Sequence, residues 1–311
     1  MRKLAFALAT LLTACGGTRP LAPAPAAAPV QAESLRDAYL DATSKLGVRF
    51  ALHHERRRPL AAPTVPYDDV HFASEDGLRL AAWYVPAAVP THKTVVLVHG
   101  HADSRYAFLR DGQLAMLQPA YNVLALDLRN NGDSDGTVTS FGLYEWRDVV
   151  AAVKYAEDRG AQDVALYGMS MGAVTCLNAL ERLPAVKAVL LDCPYASARA
   201  AFVGFAAAAW EPNPVLVGQA ILARANKELG ADMADAEGLK HIAAVGNRPL
   251  WMVHGLADDL IAPDESRALF ALAPTPVKEL WLVPGAGHGQ SVNVARAAYA
   301  TRLQAFLAAH F

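Results

Sequence analysis

The feature that most limits how this chain can fold is a row of short, nearly continuous apolar runs separated by segments of helical periodicity. Thr94–Val98, Tyr121–Leu126, Val164–Tyr167, Val186–Leu191, Leu250–Val253 and Leu280–Val283 are rich in Val and Leu and lack polar alternation. A strand buried on both faces needs no such alternation, so these runs read as strands of a parallel sheet covered on both sides. Helical patterns fall between them at Tyr144–Asp158, Met171–Leu183, Pro263–Leu272 and from Ser291 onward. Alternation on this scale predicts an α/β fold with a mainly parallel, doubly wound sheet. Ahead of it, Val70-His71-Phe72 and Leu78–Val85, joined by a turn at Glu75-Asp76-Gly77, read as a β-hairpin. One stretch breaks the rhythm. Residues 195–247 are Ala-rich and helical, with a break at Glu211-Pro212-Asn213-Pro214, and are too long for a simple connection. They are expected to form a short helical cap over the carboxyl ends of the strands, with Phe202, Phe205 and Trp210 as a candidate apolar lining.

The 311 residues, 53% hydrophobic and 19% charged, suffice for one large α/β domain and are too apolar for a disordered chain. A net charge of −2 gives no footprint for nucleic acid or for an electrostatic membrane patch. The one basic cluster, Arg56-Arg57-Arg58 after His53 and His54, is expected to be a solvated helix end. At the N-terminus, Arg2 and Lys3 precede an apolar run from Leu4 to Leu12, short of the ~20 residues that span a bilayer, as in a signal peptide. The following Leu12-Thr13-Ala14-Cys15-Gly16 resembles the lipobox of bacterial lipoproteins; an ordinary secretory signal is the alternative. The resemblance implies cleavage before Cys15, lipid on its sulfur, and a membrane-anchored place in the cell envelope. Gly16 rather than Asp after the cysteine would, in a Gram-negative cell, imply the outer membrane. The expected layout is a signal peptide over 1–14, a Pro/Ala-rich tether over 15–33 and a folded domain over 34–311, opened by a helix that Ser34 caps. Cys176 and Cys193 fall in apolar surroundings without metal-ligand spacing and are expected to be buried free thiols.

Gly-x-Ser-x-Gly occurs twice, at Gly132–Gly136 around Ser134 and at Gly168–Gly172 around Ser170. Context separates the copies. A nucleophile elbow needs a strand directly before the serine and a helix directly after it, so that the hydroxyl is exposed beside a helix N-terminus. Ser170 has both. Ser134 lies in a polar turn between two aspartates that would oppose an oxyanion, and is expected to be a loop serine. Serine needs a positioned base, and His288 stands in the small-residue loop Gly285-Ala286-Gly287-His288-Gly289 after the last strand. Asp258, just past the strand ending Trp251-Met252-Val253, is the expected partner that orients the imidazole, with Asp259 and Asp192 as alternatives. The backbone amides of Met171 and His101 are the expected oxyanion donors; the imidazole of His101 is a pocket-lining group rather than the base.

In this order the motifs resemble the α/β-hydrolase superfamily over residues 68–311. The likeness rests on Val98-His99-Gly100, Asp127-Leu128-Arg129, the elbow at Ser170, His254-Gly255…Asp258 and Gly287-His288-Gly289. It implies the α/β-hydrolase fold and structural roles for Asp127 and Arg129. The order Ser170, Asp258, His288 matches that family. Asn130-Asn131 departs from the usual glycine-containing turn. The resemblance and the triad together imply ester or thioester hydrolysis through an acyl-enzyme on a small-molecule or lipid-like acyl substrate, with no cofactor or metal required. A peptidase or amidase of the same fold is the alternative activity, and an envelope-binding lipoprotein without catalysis is the alternative class.

Overall fold

The computed structural model describes residues 32–209 and 213–311. The expected signal peptide, Cys15, most of the expected tether, and Trp210 lie outside the described residues. Helix α1 (Ala32–Leu52) leads into the hairpin β1 (Asp68–Ala73) and β2 (Arg79–Val85), followed by β3 (Lys93–Val98). Two short helices, α2 (Tyr106–Arg110) and α3 (Gln113–Leu117), precede β4 (Asn122–Leu126). Then come α4 (Trp146–Asp158), β5 (Asp163–Met169), α5 (Met171–Ala179) and β6 (Val186–Asp192). Helices α6 (Ala198–Ala209), α7 (Pro214–Leu229) and α8 (Gly238–His241) separate β6 from β7 (Leu250–Gly255). The chain ends with α9 (Pro263–Leu272), β8 (Lys278–Val283), α10 (Ser291–Val294) and α11 (Arg296–His310).

The eight strands form one sheet in the order β1-β2-β4-β3-β5-β6-β7-β8. β1–β2 and β2–β4 are antiparallel, and every other pair is parallel. The continuous apolar runs are explained by the two cores they feed. Val96, Val98, Leu166, Val189 and Met252 join the core shared with α1, α4, α5 and α6. Their neighbours Val95, Leu97, Tyr167, Leu190 and Trp251 enter the opposite core with α2, α3 and α11. Adjacent residues of a strand point to opposite faces, so a sheet covered on both sides demands apolar residues at nearly every position. β3 lies between β4 and β5, so the winding reverses beside it, and the crevice beyond the carboxyl ends at such a point is where ligands bind.

Three local expectations need correction, and two short helices went unread. Helix α1 starts at Ala32, so Ser34 lies within it and does not cap it. Helices α2 and α3 had no legible pattern, being five residues each. The last helix is broken near Ala295 into α10 and α11. Arg56–Arg58 is not a helix end: α1 has stopped at Leu52, and Arg56 donates to the carbonyls of Ser134 and Gly136.

The loop after β4 is held by buried ion pairs. Asp127 accepts from the amides of Arg105 (2.7 Å) and Asp133 (2.9 Å) and pairs with the Arg105 guanidinium. Arg129 donates from its amide and side chain to Asp148, and its outer nitrogens reach Asp76 at 2.8 and 3.0 Å. Asn130 meets the φ > 0 demand of the departing turn (φ 59°) and donates to the carbonyl of Leu52, tying this loop to the end of α1. Removing one member of a buried pair leaves the other charge unpaired and desolvated. Arg129→Ala therefore lowers unfolding stability by about 3–5 kcal/mol, read as a drop in the urea midpoint; an unchanged midpoint would contradict this account.

Candidate active site

Ser170 sits where β5 ends and α5 begins, with φ 53° and ψ −117°, a backbone region that side chains other than glycine rarely adopt. Three features impose it. The Ser170 amide donates to the carbonyl of Asp192 on β6 at 2.8 Å. A Cβ on Gly168 would lie 2.5 Å from the carbonyl oxygen of Gly172, and one on Gly172 would lie 2.2 Å from that of Val98. Only glycines allow α5 to pack this closely on β3 and β5. The turn lifts the serine side chain above the sheet edge.

The other predicted residues converge there from separate strand ends. His288, in the loop after β8, places Nε2 2.9 Å from Ser170 Oγ and Nδ1 2.8 Å from Asp258 Oδ2. Since the carboxylate only accepts, Nδ1 carries the proton and Nε2 is left to accept from the serine hydroxyl. Asp258 is buried and its Oδ1 accepts from the amides of Leu260 (3.0 Å) and Ile261 (2.9 Å). Burial alone would raise its pKa. Hydrogen bonds from His254 and His288, with the Ile261 amide, override this and hold the carboxyl well below its ordinary range.

The alternatives do not meet His288. Asp259 is exposed. Asp192 is fully buried, and its Oδ2 accepts from the hydroxyls of Tyr167 (3.1 Å) and Tyr299 (2.9 Å). Burial raises the Asp192 carboxyl above its ordinary value. Ser134 is also buried away from the site: its hydroxyl donates to the carbonyl of Asp127 (2.6 Å) and accepts from the Ala81 amide (2.8 Å). That is a structural role with no free hydroxyl.

The amides of His101 and Met171 have no hydrogen-bond partner among the described residues. Gly100 brings the first of them close, since a Cβ there would be 3.4 Å from that of Ser170. His99 fixes this loop by donating from Nδ1 to the carbonyl of Gly100 (2.7 Å) while its Nε2 accepts from the Leu128 amide (3.1 Å). The His101 ring packs against Phe50, His54, Phe141 and Phe205, and its Nε2–H donates to the carbonyl of Ala51 at 2.7 Å. Burial among these rings, with His54 nearby, pushes its pKa down to about 3, so the imidazole is a neutral wall. Helix α1 thus ends against the site.

Above Ser170 lies a cavity of about 200 Å³. Its lining combines the apolar Met169, Phe205 and Leu260 with the charged Asp103, Arg110 and Asp111. Phe205 reaches it because α6 packs tightly on the loop after β7, where a Cβ on Gly204 would overlap the carbonyl of Leu260. The N-terminus of α6 is fixed by Glu265 and Glu237, which accept from the amides of Ala196 and Ala198. Phe202, by contrast, is buried in the core.

Sequence reasoning missed three neighbours. His254, noted only as a spacing marker, donates from Nε2 to both Asp258 Oδ2 (3.0 Å) and the carbonyl of Ile261 (2.9 Å), while Nδ1 meets the Ser266 hydroxyl at 2.6 Å. The Cys193 thiol lies 4.0 Å from His288 Nε2. The Arg110 guanidinium is clamped to Asp111 (2.7 and 2.9 Å) and Asp103 (3.2 Å). His254 was legible as a histidine beside a strand end; the other two had no local signal.

The model of the alpha/beta hydrolase family matches residues 95–302. The uncharacterized protein YfhR of Escherichia coli K12 is 28% identical over 227 residues, spanning 71% of this chain and 73% of YfhR. The uncharacterized Mycobacterium tuberculosis protein Rv2307c is 29% identical over 236 residues, or 74% of this chain and 75% of its own length. Among solved structures, the Pyrococcus furiosus esterase Pf2001 superposes with a TM-score of 0.67 at 22% identity, covering 83% of this chain and 99% of that one, a likeness of fold.

The depressed Asp258 pKa has a stability consequence with a definite sign. Its contribution is present above the unfolded Asp value of about 3.9 and is lost only as pH falls through the lower folded value. Wild-type protein therefore shows a carboxylate-linked loss of denaturation midpoint below about pH 4, and Asp258→Asn flattens that limb. An identical acid limb in the variant would place the linkage elsewhere.

Proposed function

The chain belongs to the alpha/beta hydrolase family, and from that premise we propose that it is a serine hydrolase cleaving carboxylic esters or thioesters of small acyl substrates. The observation that carries the reading is the unbroken chain of hydrogen bonds Ser170 Oγ–His288 Nε2–His288 Nδ1–Asp258 Oδ2 behind a serine on a strained turn. His288 takes the Ser170 proton as Oγ attacks the acyl carbon, and Asp258 stabilises the imidazolium in place. The amides of Met171 and His101 receive the oxyanion, at about 3 kcal/mol each. His288 then protonates the leaving group and activates water to release the acyl group. The neutral His101 ring suits this role, since it adds no competing base beside the oxyanion loop.

The modest cavity, with Phe205, Leu260 and Met169 in its lining, favours a short acyl group. Residues 195–247 serve in this reading as the cap over the site. In this reading the lipobox-like segment at Cys15 carries a lipid that holds the enzyme on a membrane of the cell envelope. No helix among the described residues is long and apolar enough to cross a membrane.

A fluorophosphonate probe labels the wild type at Ser170, and Ser170→Ala loses both labelling and p-nitrophenyl ester hydrolysis. Asp258→Asn lowers kcat by about 10⁴-fold by releasing the wrong imidazole tautomer. Absence of labelling in folded wild-type protein would favour an envelope-binding lipoprotein. Metabolic labelling with a radioactive fatty acid in a bacterial host marks the full chain and not Cys15→Ala; equal labelling of both would exclude Cys15 as the lipid site.

A further inference from the structure

We propose that Cys193 and His288 form a binding site for a borderline-soft divalent cation, Zn²⁺ above all, whose occupancy shuts the serine site. Cys193 follows β6 with φ 44°, an unfavourable conformation for a side-chain-bearing residue, and its amide is tied to the carbonyl of Val253 at 2.9 Å. That backbone aims a fully buried thiol at the reactive histidine, Sγ standing 4.0 Å from Nε2. Ligand-type atoms of the thiol, the imidazole and the Asp258 carboxylate all lie within 4.8 Å of one another, with the carboxylate behind the ring on Nδ1.

The geometry suits zinc. Bonds of about 2.3 Å to sulfur and 2.0–2.1 Å to nitrogen at a tetrahedral angle set S and N roughly 3.6 Å apart, so a closing of a few tenths of an ångström is enough. Nε2 is the nitrogen without a proton, because Nδ1–H is held by Asp258 at 2.8 Å. A carboxylate behind a metal-binding imidazole is the arrangement that fixes the ring and strengthens it as a ligand. Ser170 Oγ, hydrogen-bonded to Nε2 at 2.9 Å, has to swing outward for the ion to take that lone pair, and it and water from the cavity then fill the remaining positions.

The charges also balance. The resting group is a buried thiol. Zn²⁺ binding forms the Zn–S bond and expels the thiol proton to solvent. One thiolate, the Asp258 carboxylate and the dication then sum to zero in the buried site, with His288 neutral. The metal occupies the lone pair that would take the Ser170 proton, so bound enzyme is inactive.

The inhibition depends on the serine-hydrolase reading; the binding does not, and the experiment separates them. Calorimetry of the full chain with ZnCl₂ gives one site per chain in wild type and in Ser170→Ala. Its affinity falls by about 10- to 100-fold in Cys193→Ala and Cys193→Ser. CoCl₂ gives a thiolate-to-metal band in the near ultraviolet in wild type that both Cys193 variants lack. If esters are cleaved, Zn²⁺ suppresses turnover, a chelator restores it, and the Cys193 variants resist by the same factor. Unaltered zinc affinity in both folded Cys193 variants, or no cobalt–thiolate band in wild type, overturns the proposal. Hydrolysis that is absent while the band is present would sink the enzymatic reading and leave the site standing.

Discussion

Everything at the site hangs on a turn that the chain would not adopt unaided. A side-chain-bearing residue at φ 53°, ψ −117° costs about 1–3 kcal/mol and persists only where its surroundings overdetermine it. Here β6 holds the Ser170 amide through the Asp192 carbonyl, and Gly168 and Gly172 let α5 press against the two central strands. Relaxing this turn would move Ser170 Oγ out of its 2.9 Å contact with His288 Nε2. The two-sided core is thus the source of the strain: its packing supplies the free energy that keeps one residue out of its preferred basin.

Around that turn, buried charge is handled by one rule in two ways. Asp258 collects donors from two histidines and two backbone amides and stays ionised at low pH. Asp192 receives only two tyrosine hydroxyls on Oδ2, its Oδ1 has no partner, and its carboxyl is pushed up instead. Asp192 ends β6 and Asp258 follows β7, the parallel strand beside it. What differs is the number and polarity of donors, and that is why one can orient an imidazole and the other serves as part of a tyrosine-lined core.

The legible part of the sequence was whatever had a local cause. Strands were legible because two-sided burial forces continuous apolar runs, and Ser170 was preferred over Ser134 because an elbow needs a strand and a helix at its two sides. Helices α2 and α3 were not legible, since five residues cannot show a period. Phe202 and Phe205 looked equivalent along the chain, yet only the second reaches the cavity, because the close approach of Gly204 to Leu260 sets the rotation of α6.

By itself, then, the chain determined the alternation of elements, the two-faced sheet, the elbow serine, and a histidine and an aspartate at the right strand ends. These follow from periodicity and from turn chemistry, which act between near neighbours. Tertiary structure alone decided that Asp258 rather than Asp192 or Asp259 meets His288, that His254 adds a second hand on that carboxylate, and that α1 closes one wall through His101. It alone brought Cys193 within reach of His288 across 95 residues. Such contacts depend on how separate strand ends are set side by side by packing of the whole core, and no window of sequence contains that information.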